Sequence, residues 1–357
     1  MKTKLVLDIA PKAGNPRNSE GSFLRAPNGD ILFAYSSYIG ESWHDHAACN
    51  IVMIRSSDEG ETWSNTPEII AEASFFGTKN VMSVSACPLK DGTLAFYYLI
   101  KENDGSTTLG RSLSKDGKTF RAERTEWKAP KAYYVINNDR LERLADGRIV
   151  APAASYSADE NLNGKIYTPP VTVFLVSEDD GVSFSLLPRL ALAHNDKVNL
   201  NFGLQEPGII ELAPGITWAW MRTGAMYQYE SRSFDNMRSF SPPEATAFTS
   251  PDSPMEVIRE DESTLYTVYN PIPNYNGKNP TPWGWGRTPL VIRKSTDNGV
   301  TFGPINTIED EDRGYCYPAM FFTRDGGLLC AYCRGGKEDE ACLCRLGISK
   351  IDLSTIS

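Results

Sequence analysis

The chain has little of what marks several large classes of protein. Its 357 residues include 36 Lys and Arg against 45 Asp and Glu, which gives a net charge of −9. Without an excess of cations to displace counterions, nucleic acid and anionic membranes are not expected partners. No run of 18 apolar residues occurs, so no membrane-spanning helix is predicted. The apolar run near the N-terminus is broken at Asp8 and does not resemble a signal peptide. We expect a cytoplasmic protein from the chain as it stands, or a secreted or periplasmic one if a leader has been removed.

Cysteine is sparse and odd in number, with seven residues in a chain too large to need disulfide cross-links. The spacing of Cys330, Cys333, Cys342 and Cys344 is similar to that of zinc ligands. These residues fall in the segments LLCAYC and ACLCRLGIS, however, whose apolar runs and alternation are typical of buried strands. We therefore expect reduced thiols, no bound metal and no cofactor.

Sustained helical periodicity is also lacking, and an internal repeat is present instead. The motif S-x-D-x-G-x-T-W occurs at residues 56–63 (SSDEGETW) and returns at 177–184 (SEDDGVSF) and 295–302 (STDNGVTF). Two weaker copies lie at 114–120 (SKDGKTF) and at 233–240 (SFDNMRSF), where Met237 replaces the glycine. In such an Asp box the Asp accepts backbone N–H bonds, the Gly takes a positive φ and the aromatic residue packs under the hairpin. The motif is therefore structural.

A second pattern, a turn followed by an apolar strand, occurs six times, at residues 28–35, 91–98, 146–153, 213–221, 262–269 and 325–332. The Asp boxes start roughly 55 to 65 residues apart, which is near the period of propeller blades. Each unit is best explained by four antiparallel strands joined by short turns. The sequence thus predicts an all-β, six-bladed β-propeller spanning residues 1–357 as one domain, with residues 4–9 closing the last blade.

One face of such a propeller is marked by polar residues. In each blade the start of strand one, the end of strand two and the start of strand three share a face, opposite the Asp boxes. Where a buried sheet would carry apolar residues, these positions carry Arg17, Glu20, His44, Asp45, His46, Asn80, Ser83, Asn138, Asp139, Arg140, Glu206, Arg222, Arg287, Tyr315 and Tyr317. We expect these side chains to converge on the propeller axis.

Together, the Asp boxes, the six blades and these polar positions resemble the sialidase (neuraminidase) superfamily over essentially the whole chain. The resemblance implies an exo-acting, retaining glycoside hydrolase whose partner is a glycan with a terminal acidic sugar, sialic acid or a related keto-sugar. In that family a Tyr activated by a Glu attacks the anomeric carbon, and an Asp is the acid/base. By position these are Tyr317, Glu206 and Asp45, with Tyr315 as a rival for the nucleophile.

The resemblance also implies a carboxylate clamp of three arginines. Arg222 and Arg287 match the second and third. When residues 19–29 are aligned with the family's R-I-P strand, Ser19 stands where the first arginine belongs. Either Arg17 or Arg140 substitutes for it, or the clamp is incomplete, which leaves the sugar open because bidentate Arg contacts select the geometry of the anion. The remaining residues predicted to bind substrate are Glu20, His46 and Asn138.

Other interpretations stay open at this level. Asp-box propellers also serve as carbohydrate-binding modules without turnover. Asp45 between His44 and His46 is a possible metal site, since such mixed ligands suit several metals. Glu206 and Arg222 are also compatible with a purely structural ion pair.

Overall fold

The computed structural model describes residues 1–156, 169–192, 203–272 and 282–357. Its strands form six sheets arranged as consecutive blades. Blade 1 contains β2 (Asn18–Arg25), β3 (Ile31–Tyr38), β4 (Cys49–Ser56) and β5 (Glu68–Ala71), and blade 2 contains β6 (Val81–Ala86), β7 (Leu94–Asn103), β8 (Ser106–Ser114) and β9 (Arg121–Arg124). Blade 3 contains β10 (Glu126–Trp127), β11 (Tyr133–Val135), β12 (Glu142–Arg143), β13 (Ile149–Tyr156), β14 (Val171–Ser177) and β15 (Ser183–Leu192).

Blade 4 contains β16 (Gln205–Ala213), β17 (Ile216–Arg222), β18 (Tyr227–Ser233) and β19 (Glu244–Thr249). Blade 5 contains β20 (Glu256–Arg259), β21 (Leu265–Tyr269), β22 (Leu290–Ser295) and β23 (Asn306–Glu309), and blade 6 contains β24 (Cys316–Phe322), β25 (Gly327–Cys333), β26 (Leu346–Asp352) and the N-terminal β1 (Thr3–Ile9). Short 3₁₀ helices span Ala73–Phe76, Lys337–Asp339 and Leu353–Thr355. Across the described ranges, no helix has the length and hydropathy needed to cross a membrane.

The blades match the predicted architecture, with one variation. Five sheets have four antiparallel strands in radial order, and β1 pairs with β26 as the outer strand of blade 6, as expected. In blade 3 the inner strand is divided into β11 and β12, both paired with β13, and β10 adds a parallel edge beside β15. The six-bladed, all-β propeller is confirmed.

In the described part of the chain, the larger apolar clusters hold the blades together, because each of them takes residues from two adjacent blades. Leu32 of blade 1 and Phe96 of blade 2 share one cluster, and the series continues around the ring. The last cluster joins Phe23 of blade 1 to Leu329 of blade 6. Burial of these faces provides the main stabilisation and closes the ring without a long exposed sheet edge.

The Asp boxes lie between the third and fourth strands of blades 1 to 5, as predicted. In the first, Oδ1 of Asp58 accepts a hydrogen bond from the backbone N–H of Thr62 at 2.9 Å, and Gly60 has a φ of 85°. In the fourth, Met237 replaces this glycine and keeps a positive φ of 62°, while its backbone N–H still donates to Ser233 Oγ at 2.9 Å. All five turns therefore mark one face of the propeller.

Candidate active site

On the opposite face, four inner strands share one irregularity near their start. The pairing register shifts within β2, β6, β16 and β24, and the shifted segments contain Glu20, Ser83, Glu206 and Tyr317. All four residues have positive φ, between 42° and 59°. A β-bulge re-aims the side chain at the point where it interrupts the ladder. These four side chains line a common pocket of about 470 Å³ at the axis.

Tyr317 and Glu206 form the centre of this pocket. The Tyr317 hydroxyl donates to Glu206 Oε1 at 3.0 Å, and the other carboxylate oxygen accepts from Arg222 Nη1 at 2.8 Å. Arg222 Nε in turn donates to Asp252 at 2.6 Å. Burial raises the pKa of Tyr317 well above its usual value, and the charge of Glu206 adds to this. The resting site is thus a neutral phenol bonded to a carboxylate that an arginine holds in place.

Arg287 lies beside this pair. Its Nε and Nη2 donate to the backbone carbonyl of Asp252 at 3.3 and 2.9 Å, and its guanidinium lies 5.8 Å from the centre of the Tyr317 ring. Its Nη1 is buried and has no hydrogen-bond partner among the described residues. Arg222 and Arg287 both line the pocket, so two cationic groups face its interior near the phenol.

Asp45 lies at the pocket wall, in the loop between β3 and β4. Its Oδ1 accepts from Arg17 Nη1 at 2.6 Å, and its backbone carbonyl accepts from Lys101 Nζ at 2.5 Å. Desolvation acts to raise the pKa of Asp45, but the charges of Arg17 and Lys101 outweigh it and hold the pKa at about 2. The carboxylate is therefore ionised at any physiological pH, although 58% of its side chain is exposed.

Glu20 has a different environment on the same arginine. Its Oε2 lies 3.4 Å from Arg17 Nη2 but makes no hydrogen bond within the part of the chain that the structure describes, and the residue is only 4% exposed. Burial raises the pKa of Glu20 to about 7, despite the opposing charge of Arg17. Besides Glu206, the pocket thus contains one carboxyl group that is ionised, Asp45, and one that titrates near neutrality, Glu20.

Several residues predicted to bind substrate lie outside the pocket lining. Arg17 is buried beneath Asp45 and over the Tyr38 ring, 4.5 Å from its centre. Arg140 pairs with the buried Glu256 and donates to the backbone carbonyl of Met255 at 2.6 Å, in a separate cavity further along the axis. Neither residue is among those that line the pocket, so of the alternatives left open by the sequence this arrangement agrees with an incomplete clamp.

Asn138 and His46 are also displaced from the pocket. Asn138 is fully buried and donates to the backbone carbonyls of Gly21 at 3.0 Å and Tyr317 at 3.3 Å, so it positions two inner strands. His46 is outward, with Nδ1 3.6 Å from Asp104. His44 does line the pocket, stacked on Trp43 with ring centres 4.4 Å apart.

Tyr315 was expected on the same side of its strand as Tyr317, and this is wrong. Its hydroxyl accepts a hydrogen bond from the backbone N–H of Glu311 at 3.1 Å, and its ring packs against Tyr332 in the core between blades 5 and 6. The bulge that begins at Cys316 breaks the strict alternation on which the expectation rested. Tyr317 alone of the two faces the pocket.

The sequence predictions did not include several residues of the site, among them Lys101 and Asp252 and the pocket-lining aromatic residues Tyr133, Tyr156 and Trp285. Lys101 lies near the end of β7, the second strand of its blade, just as Arg222 lies at the end of β17. The rule that polar residues at the end of a second strand face the site, which identified Arg222, would therefore also have identified Lys101. Asp252 lies in the connection between β19 and β20, where no repeat or strand pattern marks it. It nevertheless bonds both pocket arginines.

The structure also bears on the cysteines and on the metal site that the sequence left open. All seven cysteines are buried free thiols, and Cys316 Sγ lies 3.9 Å from Cys342 Sγ. In the part of the chain that the structure describes, no group of three or more His, Cys, Asp or Glu side chains is arranged to hold a metal ion.

Comparison with known proteins places the chain in a family. The sequence model of the BNR repeat-like domain family matches residues 82–330. The chain belongs to this family. No curated protein matches this BNR repeat-like chain in sequence.

Solved structures share the fold of this BNR repeat-like protein at low identity. A protein of unknown function from Dyadobacter fermentans is 17% identical, with a TM-score of 0.72 over 98% of this chain and 99% of that one. Hadza microbial sialidase Hz136 is also 17% identical, with a TM-score of 0.72 over 96% of this chain and 66% of that one. The intramolecular trans-sialidase from Ruminococcus gnavus, in complex with oseltamivir carboxylate, is 12% identical, with a TM-score of 0.68 over 95% of each chain. The chain is thus a sialidase-like BNR propeller.

Proposed function

We propose that this protein is an exo-acting glycoside hydrolase that releases a terminal acidic sugar with retention of configuration, sialic acid or a related keto-sugar being the first candidate. The single observation that carries the proposal is the hydrogen bond from Tyr317 to Glu206, on the floor of a pocket that Arg222 and Arg287 also line. The sialidases and trans-sialidase of the same fold support it.

A neutral nucleophile suits such a substrate. The anomeric carbon of a keto-acid sugar carries its own carboxylate, which would repel an anionic nucleophile. Tyr317 is neutral until its proton passes to Glu206, so it can approach this carbon without repulsion and form a covalent intermediate. Arg222 and Arg287, which both line the pocket, supply positive charge for the carboxylate.

Leaving-group departure requires a proton donor. The pocket lining includes two further carboxyl groups, those of Asp45 and Glu20. The family resemblance assigns the acid/base role to Asp45.

The test is a panel of 4-methylumbelliferyl glycosides of sialic acid, its deaminated keto analogue, glucuronic acid and, as a neutral control, galactose. We expect cleavage of at least one acidic member and none of the neutral one, with the rate lost in Tyr317→Phe. Cleavage by the variant at the wild-type rate would rule out the proposal.

A carbohydrate-binding propeller without turnover is the second candidate. The observation that favours it is the clamp itself, which has two arginines in the pocket where the enzyme family has three. Calorimetric binding of an acidic sugar, with no product after long incubation with the same glycosides, is the result expected for a binding module.

A further inference from the structure

We propose that Glu20, and not Asp45, is the residue that donates the proton to the departing oxygen and later takes one from water. This inference rests on the proposed function and deepens it. Glu20 lines the same pocket as Tyr317 and Glu206, and a bulge in the innermost strand of blade 1 directs it there.

The carboxyl groups of Asp45 and Glu20 contact the same cation. A single guanidinium, that of Arg17, contacts both, with Nη1 2.6 Å from Asp45 Oδ1 and Nη2 3.4 Å from Glu20 Oε2. Because both carboxyl groups also line the same pocket, Glu20 is a neighbour of the residue to which the resemblance gives the acid/base role.

Their hydrogen bonding differs in the way that matters for proton transfer. Asp45 is bound through a short, charge-assisted contact to Arg17, and such a contact favours the ionised carboxylate. Glu20 lines the pocket but is only 4% exposed, and its Oε2, 3.4 Å from Arg17 Nη2, has no hydrogen bond to any of the described residues. Burial without a charge-assisted hydrogen bond favours the protonated carboxyl group.

The titration of the two groups agrees with this geometry. Asp45, with a pKa of about 2, is almost never protonated near neutral pH, whereas burial raises the pKa of Glu20 to about 7, into the range where an acid/base catalyst works best. A substrate carboxylate would raise the pKa of Glu20 further, because like charges oppose ionisation. The charged groups that shift the pKa of Glu20 are Arg17, Asp45, Glu206 and Lys101. The charge of Glu20 in turn raises the pKa of a set of neighbouring groups, Tyr38, Cys49, Tyr133, Tyr317 and Cys333.

Tyr317, Glu206 and Glu20 together account for each bond and proton in both halves of the reaction. The Tyr317 oxygen forms a bond to the anomeric carbon as its proton moves to Glu206. The bond between that carbon and the leaving oxygen breaks, and the Glu20 proton goes to that oxygen. In the second half water attacks the same carbon and gives its proton to Glu20, while the Tyr317 oxygen departs and recovers its proton from Glu206.

This role also explains the lost arginine. Ser19 occupies the position of the family's first clamp residue, where it accepts a hydrogen bond from Arg17 Nε at 2.8 Å. A second arginine entering the pocket beside Glu20 would lower the pKa of its carboxyl group and favour the ionised form. The absence of that cation and the presence of a protonated Glu20 are thus mutually consistent.

The test compares Glu20→Gln with Asp45→Asn on two glycosides of the sugar that the wild type cleaves, sialic acid in the first instance. The 4-methylumbelliferyl glycoside has a leaving group that departs without a proton, and the methyl glycoside does not. For Glu20→Gln we expect kcat/KM to fall about 10²- to 10⁴-fold on the methyl glycoside and less than about tenfold on the aryl one. For Asp45→Asn we expect similar losses on both.

The pH profile supplies a second readout. With the methyl glycoside, kcat/KM of the wild type should fall as pH rises through about 7, because Glu20 loses its proton. Asp45→Asn should keep this limb, as should Glu20→Asp at a lower rate, which serves if Glu20→Gln does not fold. A leaving-group-dependent loss confined to Asp45→Asn would overturn the inference and leave the proposed function intact. A wild type that cleaves no glycoside would overturn both.

Discussion

The hydroxyl of Tyr317 donates a hydrogen bond to the carboxylate of Glu206 across the propeller axis, from blade 6 to blade 4. Both residues lie in bulged inner strands with positive φ, of 55° and 42°. Such conformations are uncommon for residues other than glycine and tend to occur at functional sites. The backbone conformation and the position of this pair therefore point to a functional role.

Replacing Tyr317 by Phe should lower kcat by at least about 10³-fold, because the nucleophilic oxygen is removed. Binding of the free acidic sugar, measured by calorimetry, should change by less than about tenfold, since the arginines remain. Tyr315→Phe is the matched control. Its hydroxyl bonds only within the core, so we expect near wild-type turnover and a loss of stability of about 1 kcal/mol.

Arg287→Gln should weaken binding of the acidic sugar by about tenfold to a hundredfold, because Arg287 lines the pocket and its guanidinium provides a positive charge for the carboxylate. A ligand whose carboxylate is reduced to an alcohol should bind wild type and variant alike. The matched control is Arg140→Gln, which should leave affinity unchanged but reduce the free energy of unfolding by about 3–5 kcal/mol, since it breaks the buried pair with Glu256. Equal losses of affinity in both variants would contradict the placement of the two arginines.

Glu20→Gln should change the pH dependence of stability even without substrate. The folded-state pKa of Glu20 is raised from 4.5 to about 7, so its protonated form stabilises the fold fully below pH 4.5, and this contribution is lost as pH rises through 7. As the pH rises from 4.5 to 7, the free energy of unfolding of the variant should therefore increase relative to that of the wild type, by up to about 3 kcal/mol. Urea unfolding at pH 4.5 and pH 8 measures the difference, and a constant offset would contradict it.

Gly60→Ala tests the structural role of the first Asp box. A Cβ at this position would lie 2.6 Å from Leu329 of blade 6, and the backbone has a φ of 85°. We expect a loss of about 2–4 kcal/mol in unfolding free energy, from strain and overpacking together, with unchanged activity per folded molecule. Gly326→Ala has a similar φ of 84° with no atom within 4 Å, so it should show the backbone cost alone, about 1–2 kcal/mol.

The sequence was sufficient for the fold because the Asp box is a local motif. Asp58 and Gly60 make their turn through contacts within a few residues, so the boxes identify five blades, and the recurring turn-and-strand pattern adds the sixth. The positions of Glu206, Arg222, Arg287 and Tyr317 at one face followed from the order of strands within a blade. This prediction requires only the order of the strands in a blade, and not the direction in which each side chain points.

Side-chain direction is what the sequence could not supply. Bulges in the inner strands turn Glu20 and Tyr317 into the pocket, while Tyr315 enters the core and Arg140 pairs with Glu256. A bulge is a property of strand pairing, and no residue pattern in these strands announces it. The relative protonation of Asp45 and Glu20 depends on their shared contact with Arg17, which only the folded chain defines.

The most direct test of the central claim, that Tyr317 is the nucleophile of a glycoside hydrolase, is trapping of the glycosyl-enzyme. The protein is incubated with a 2,3-difluoro derivative of the acidic sugar that the glycoside panel identifies, and its peptides are analysed by mass spectrometry. We predict a covalent adduct of one sugar on the peptide containing Tyr317, and none in Tyr317→Phe. An adduct on another residue, or undiminished glycoside cleavage by Tyr317→Phe, would contradict the account.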